Sequence, residues 1–195
     1  MAIHTFGDSH SYKGWETITG IQTHHLGPKL CFSIGRDGIN IKDDYNVKNG
    51  DTVIFCFGEI DCRCHIHKYI TEDINYKEII DNIINNYFIQ IQKAVNTFDK
   101  LKTCIYNVVP PIQKHNTNEN LDYPYLGTDE QRKTYVLYFN EKIKEKCIEY
   151  NFIFFDIYNN YIDNNGFLNK SLSDGNVHIR DVTYIKKFLE NNYLS

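Results

Sequence analysis

The stretch that most constrains the fold is Thr52–Phe57, whose sequence Thr-Val-Ile-Phe-Cys-Phe is apolar almost without alternation. A strand with one face in water alternates apolar and polar residues, whereas a strand in the middle of a parallel sheet is buried on both faces. Gly58 ends the run. The stretch therefore predicts a central parallel strand, and with it a sheet that is covered on both sides.

Further apolar runs predict the other strands of that sheet. They are Ala2–Phe6, Leu30–Ile34, Thr103–Val109 and Phe152–Ile157. Apolar residues recur every three or four positions over residues 76–98, after Thr128 or Asp129, and again after residue 181, which predicts three amphipathic helices. Strands that alternate with helices favour a parallel sheet. The sequence thus predicts one three-layer α/β/α domain over residues 1–195.

Composition and charge exclude several classes of protein. A hydrophobic fraction of 42% is ordinary for a globular chain, and a net charge of −4 gives no general attraction to nucleic acid or to an anionic membrane. The chain shows neither a secretory signal nor a run of about 20 apolar residues. We therefore expect a cytoplasmic protein with reduced cysteines and no nucleic-acid or membrane partner.

The first predicted strand is followed by a polar turn, Gly7-Asp8-Ser9-His10. A serine at the carboxyl end of a buried strand lies where open α/β sheets bind their ligands. Taken alone, such a sequence is more often only a turn, and a serine needs a base before it can act as a nucleophile. The best candidate base is His178, which precedes the last helix and follows Asp174 by four residues.

In order and spacing along the chain, these segments resemble the SGNH (GDSL-type) hydrolase family. Gly7-Asp8-Ser9 is similar to its first block, and Asp174 with His178 to its last. The resemblance implies a flavodoxin-like sheet of five parallel strands, Ser9 as nucleophile, His178 as general base, Asp174 as the orienting carboxylate, and no cofactor. The family usually places this aspartate three residues before the histidine, so a bulge at Gly175 is needed here.

The resemblance also implies an oxyanion hole made of three donors. These would be the Ser9 backbone N–H, a glycine of the second block and an asparagine of the third. Gly35 resembles the glycine, with Gly27 as a less favoured alternative. The third block reads Gly58-Glu59-Ile60-Asp61, so isoleucine stands where the asparagine would be. Arg63 is the candidate replacement, because a guanidinium donates several hydrogen bonds.

Three more residues are expected to contact the substrate, namely His10, Glu59 and Asp61, which lie in these same blocks. Pairing of Arg63 with Glu59 or Asp61 is as well supported as donation to the oxyanion, so the sequence leaves its role open. Residues 112–128 are polar and form either a binding loop or a loop without function.

A metal site is the alternative for Cys62-Arg63-Cys64-His65-Ile66-His67. Structural zinc sites separate paired ligands by two to four residues and need a second pair, which this segment does not offer. We therefore expect no metal.

The function expected from these observations is that of a serine esterase. Its substrate would be a small O-acyl ester, in particular an O-acetyl group on a carbohydrate. Two alternatives stay open: a carbohydrate O-acyltransferase that uses the same serine and histidine, and a catalytically inactive glycan-binding protein of the same fold.

Overall fold

The computed structural model describes residues 1–117 and 121–192. Its centre is a five-stranded sheet in the order β2-β1-β3-β4-β5, and every pairing in it is parallel. The strands are β1 (Ile3–Gly7), β2 (Ile21–His25), β3 (Thr52–Cys56), β4 (Lys102–Tyr106) and β5 (Ile153–Phe155). This is the flavodoxin-like strand order, and it confirms the expected α/β/α fold class.

Helices cover both faces of the sheet. They are α1 (Cys31–Asp37), α2 (Ile66–Lys68), α3 (Tyr76–Val95), α4 (Asp129–Tyr150) and α5 (Thr183–Asn191). Val53 and Phe55 of β3 join the hydrophobic core under α1, α3 and α4. Ile54 and Cys56 join a second core with α5 on the opposite face. Strand β3 is thus buried on both faces, as its sequence predicts.

The helices predicted from periodicity are confirmed. Helix α3 lies within residues 76–98, and α5 follows His178. Thr128 caps α4, because its side chain accepts a hydrogen bond from the Gln131 backbone N–H at 3.1 Å. No helix of the described ranges is both long and apolar enough to cross a membrane.

The prediction for the second strand is wrong. Leu30–Ile34 lies at the start of α1, and the second strand is Ile21–His25 instead. That strand pairs only with β1, at the edge of the sheet, and its residues are half-buried or exposed. An edge strand needs no continuous apolar run, so Ile-Gln-Thr-His-His carries little strand signal. Cys31 and Ile34, three residues apart, form the buried face of the helix.

Gly35 consequently does not end a strand. It lies inside α1, where a Cβ atom would come within 2.9 Å of the Asn86 Cβ and 3.1 Å of the Tyr87 nitrogen on α3. The glycine lets the two helices approach closely, and this position separates it from the predicted oxyanion hole. Gly27, the alternative, follows β2 and adopts a φ of 76°.

We expect Gly35→Ala to lower the free energy of unfolding by about 1–2 kcal/mol, measured by urea denaturation. Because the α3 backbone must move, the overpacking cost lies in the upper part of the usual range, at about 2–3 kcal/mol, and the better helix propensity of alanine offsets about 1 kcal/mol of that. The control is Arg36→Ala on the same helix, whose exposed side chain pairs with Asp37 and lies over the Phe32 ring and should matter little. A Gly35→Ala variant as stable as the wild type would contradict the assigned packing role.

Candidate active site

Ser9 lies on a tight turn at the carboxyl end of β1. The turn is one 3-10 helix, Ser9–Ser11, and the Asp8 side chain caps it by accepting from the His10 backbone N–H at 2.8 Å. It starts two residues after Gly7, which pairs with His25 of β2 and Cys56 of β3. Ser9 is thus presented in the middle of the carboxyl edge of the sheet, where α/β folds bind ligands.

His178 lies on a short loop that is closed by an antiparallel bridge between Ser173 and Ile179. Inside it, the Asp174 backbone N–H donates to the His178 carbonyl at 3.0 Å. Gly175 has a φ of 86°, a left-handed conformation that glycine adopts without strain. This turn accommodates the extra residue between the aspartate and the histidine.

Three side chains from these two segments form one hydrogen-bonded chain. The His178 Nδ1 donates to Asp174 Oδ2 at 2.8 Å, and the Ser9 hydroxyl donates to His178 Nε2 at 2.8 Å. This is the geometry of a nucleophile, a general base and an orienting carboxylate. The four-residue spacing is therefore compatible with a triad.

Burial and the charges around these three side chains favour a neutral His178 and an ionised Asp174. Burial, and next the neighbouring His10, lower the pKa of His178 to about 4. Burial opposes ionisation of Asp174, but hydrogen bonds from His178 and Asn176 outweigh it and lower the pKa of this carboxyl. At neutral pH the Nε2 of His178 is thus free of a proton, and Asp174 is charged.

A cavity of about 250 Å³ opens above Ser9 and His178. Besides these two, its lining includes His25, Pro28, Ile60, Arg63, Tyr123 and Asn176. The sequence favours an exposed loop for His24-His25, because β2 carries little strand signal, and so gives His25 no role. The position of Asn176 could have been predicted from the sequence, since it lies between Asp174 and His178 in the last block.

Comparison with solved structures gives the architecture a family context. A GDSL-like lipase from Bacteroides thetaiotaomicron has a TM-score of 0.65 at 14% identity, covering 98% of this chain and 86% of its own. The carbohydrate acetylesterase Est24 from Sinorhizobium meliloti has a TM-score of 0.54 at 13% identity, covering 100% and 99%. The chain has the fold of the GDSL-type (SGNH) hydrolases. No protein-family model and no curated protein matches its sequence.

The third block of this SGNH fold differs from the family pattern. Ile60 lines the cavity at the position of the family's asparagine and offers no side-chain donor. Arg63, in a π-helical turn over Asp61–His65, lines the same cavity. Its Nη2 lies 3.2 Å from Glu59 Oε2, and its Nε is buried without a hydrogen-bond partner within the described residues. Arg63 thus both pairs with Glu59 and faces the cavity.

Asp61 and Glu59, which were expected to bind substrate, instead contact other groups of the protein. Asp61 is fully buried and accepts from the backbone N–H groups of Cys31 at 2.7 Å and Phe32 at 3.1 Å. It therefore satisfies the amino end of α1, and burial raises its pKa to about 7. Glu59 is paired with Arg63 beneath the cavity. Neither side chain is available to a ligand above Ser9.

His10 is also wrong as a substrate contact. It is only 6% exposed, and both of its ring nitrogens are occupied within the protein. Nδ1 lies 2.9 Å from Asp8 Oδ1, and Nε2 lies 3.2 Å from the carbonyl oxygen of Val177.

The cysteine and histidine residues that suggested a metal are dispersed. His65 stacks against Phe32 and Tyr69, and the His67 Nδ1 lies 2.9 Å from the Tyr135 hydroxyl. Across the described ranges, no group of three or more histidine, cysteine, aspartate or glutamate side chains is arranged to hold a metal ion.

The polar segment 112–128 contacts the loop that carries His178. The Thr117 hydroxyl donates to Asn176 Oδ1 at 2.7 Å, and Ile112 and Tyr125 pack against Val177. Residues 118–120 of this segment lie outside the described residues. Tyr123 is the residue of this segment that lines the cavity, among those that the structure describes.

The triad geometry predicts that Asp174→Asn slows the reaction of Ser9 with a fluorophosphonate probe by about 10²–10⁴-fold, because the asparagine no longer fixes the His178 tautomer. The measurement is the labelling rate at pH 7, which requires no knowledge of the substrate. Asp73→Asn, on an exposed loop, is the matched control and should label at the wild-type rate. Equal rates for both variants would remove Asp174 from the triad.

Proposed function

We propose that the protein is a serine hydrolase that cleaves small O-acyl esters. The observation that carries this proposal is the continuous hydrogen-bonded chain from Asp174 through His178 to Ser9, with 2.8 Å at each step. It lies at the floor of a cavity and at the edge of the sheet where ligands bind in such folds. A glycan-binding protein without catalysis would have no need of this arrangement.

The reaction follows from the positions of these atoms. Ser9 Oγ attacks the ester carbonyl carbon while His178 Nε2 takes the hydroxyl proton, and Asp174 stabilises the imidazolium that forms. The tetrahedral intermediate collapses when His178 returns the proton to the leaving alcohol, leaving an acyl group on Ser9. A water molecule, deprotonated by His178, then attacks the acyl-enzyme and releases the acid.

The cavity supports a small acyl group on a polar alcohol. Its volume of about 250 Å³ is below the range of about 300–1,000 Å³ typical of drug-sized ligands. Its lining includes the hydrogen-bonding side chains of His25, Arg63, Tyr123 and Asn176, which suit the hydroxyl groups of a sugar. Est24, of the same fold, is a carbohydrate acetylesterase. We therefore place O-acetylated carbohydrates first among the candidate substrates.

Stabilisation of the oxyanion is assigned to the Ser9 backbone N–H and Arg63. Ser9 is the first residue of its 3-10 turn, where backbone N–H groups point away from the turn. Arg63 is a cationic donor that lines the cavity together with Ile60, the residue that stands in place of the family's asparagine. A charged donor aimed at the developing oxyanion stabilises it more than a neutral amide does.

The first test is hydrolysis of p-nitrophenyl acetate by the wild type, Ser9→Ala and His178→Ala, with folding checked by circular dichroism. We expect kcat/KM to fall by about 10⁴–10⁶-fold in both variants, because the nucleophile or its base is lost. Ser171→Ala and His115→Ala are the controls; both residues are exposed and should leave hydrolysis unchanged.

A second series separates the alternative functions. Hydrolysis of acetyl, butyryl and octanoyl esters should decline with chain length if the cavity limits the acyl group. If turnover of an acetyl donor appears only when a sugar acceptor is added, the protein is an acyltransferase. If the folded wild type and Ser9→Ala are equally inert with every ester but bind acetylated glycans equally, the hydrolase proposal is refuted.

The role of Arg63 predicts a selective loss of kcat. Arg63→Lys keeps a positive charge for Glu59 but changes the donor geometry, so we expect kcat to fall by about 10²–10³-fold. KM and the thermal midpoint should change little. The matched control, Lys68→Arg at an exposed position on α2, should behave as the wild type. Full kcat in a folded Arg63→Lys variant would limit this residue to its ion pair with Glu59.

A further inference from the structure

His10 connects the turn that carries Ser9 to the loop that carries His178. Its Nδ1 lies 2.9 Å from Asp8 Oδ1, and its Nε2 lies 3.2 Å from the Val177 carbonyl oxygen. Asp8 directly precedes Ser9, and Val177 directly precedes His178, so the two ends of this link adjoin the two reacting side chains. His10 and Val177 are 167 positions apart in the chain.

The two hydrogen-bond partners of His10, the Asp8 carboxylate and the Val177 carbonyl, determine the protonation state of its imidazole ring. An ionised carboxylate and a backbone carbonyl only accept hydrogen bonds, so both ring nitrogens of His10 must donate. A neutral imidazole carries one N–H group, and the imidazolium carries two. The cationic form therefore satisfies both contacts at once.

We propose that His10 is a cationic positioning residue, which fastens the loop of residues 174–178 to the serine turn and keeps His178 in its neutral, proton-accepting form. This inference deepens the proposed function and rests on it for the role of His178. His10 itself touches no substrate, since it is buried beneath the reacting groups.

The link through His10 stabilises the distance between the Ser9 hydroxyl and the His178 ring. Ser9 and His178 meet through one side-chain hydrogen bond of 2.8 Å. The link from Asp8 through His10 to Val177 holds the two backbones beside that bond. Because a misplacement of about 1 Å can lower a rate by about 10²-fold, a second connection at this point matters for catalysis.

The charge of His10 acts on the proton affinity of His178. The two ring centroids are 4.9 Å apart. His10 faces the carboxylates of Asp8 and Glu59, and His178 faces Asp174, with Asp8 also acting on it. Burial lowers the pKa of His10, but Asp8, Glu59 and the Val177 carbonyl together outweigh this effect and raise it. A fixed positive charge beside His178 opposes a second one, which contributes to its pKa of about 4.

A pH profile follows from this arrangement. Because the pKa of His178 is about 4, the free enzyme keeps this base unprotonated above about pH 5, and kcat/KM of the wild type should stay level between pH 8 and about pH 5. Loss of the His10 charge should move the acid limb of the profile upward by about one pH unit or more. A residue with a purely structural role would lower the rate at every pH without moving that limb.

Two substitutions of His10 distinguish the effect of its hydrogen bond to Val177 from the effect of its charge. In His10→Gln the amide nitrogen replaces Nε2 and still donates to Val177, whereas in His10→Asn it replaces Nδ1 and donates only to Asp8. We expect the same upward shift of the acid limb in both. At pH 8, His10→Gln should keep kcat within about threefold, and His10→Asn should lose about tenfold or more. The control, His115→Gln, should change neither quantity.

Nitrogen-15 NMR of histidine-labelled wild type tests the inference without any variant or substrate. We expect both ring nitrogens of His10 to carry protons at pH 7, and His178 to remain neutral down to about pH 5. A neutral His10 would overturn the proposal, as would unshifted pH limbs in both folded variants. If no ester is hydrolysed while the NMR signature holds and His10→Gln raises the pKa of His178, the proposed function fails and the electrostatic role of His10 stands.

Discussion

The candidate site depends on the close approach of Gly7 to the neighbouring strand. A Cβ atom at this position would lie 2.0 Å from the Cys56 carbonyl oxygen and 3.0 Å from the Ser11 Cβ. Only glycine allows the chain to leave β1 there and turn back immediately into Ser9–Ser11. Since β1 pairs in register with strands on both sides, this turn projects Ser9 at the centre of the carboxyl edge.

The second half of the site reaches Ser9 from the other end of the chain through two parallel connections. One joins Ser9 to His178 directly, and the other joins Asp8 to Val177 through His10. Both are polar and largely shielded from water, so each hydrogen bond and charge acts more strongly than it would at the surface. Each connection includes a carboxylate, since Asp174 contacts His178 and Asp8 contacts His10.

The third block holds two carboxylates and an arginine with different surroundings. Asp61 binds the amino end of α1. The π-helical turn that begins there carries Arg63 to the cavity wall, and Arg63 pairs with Glu59. On this basis we propose Arg63 as the side-chain donor to the oxyanion.

The sequence by itself determined the central strand, the amphipathic helices and the segments of Ser9, Asp174 and His178. Burial on both faces, a helical repeat and short motifs are local properties that the order of residues records directly. Tertiary structure decided what depends on distant partners. The polar edge strand β2 exists because β1 offers it backbone hydrogen bonds, Gly35 faces α3 rather than a ligand, and Asp61 faces α1. His10 became a buried link because Val177 lies against it, although the sequence places the two 167 residues apart.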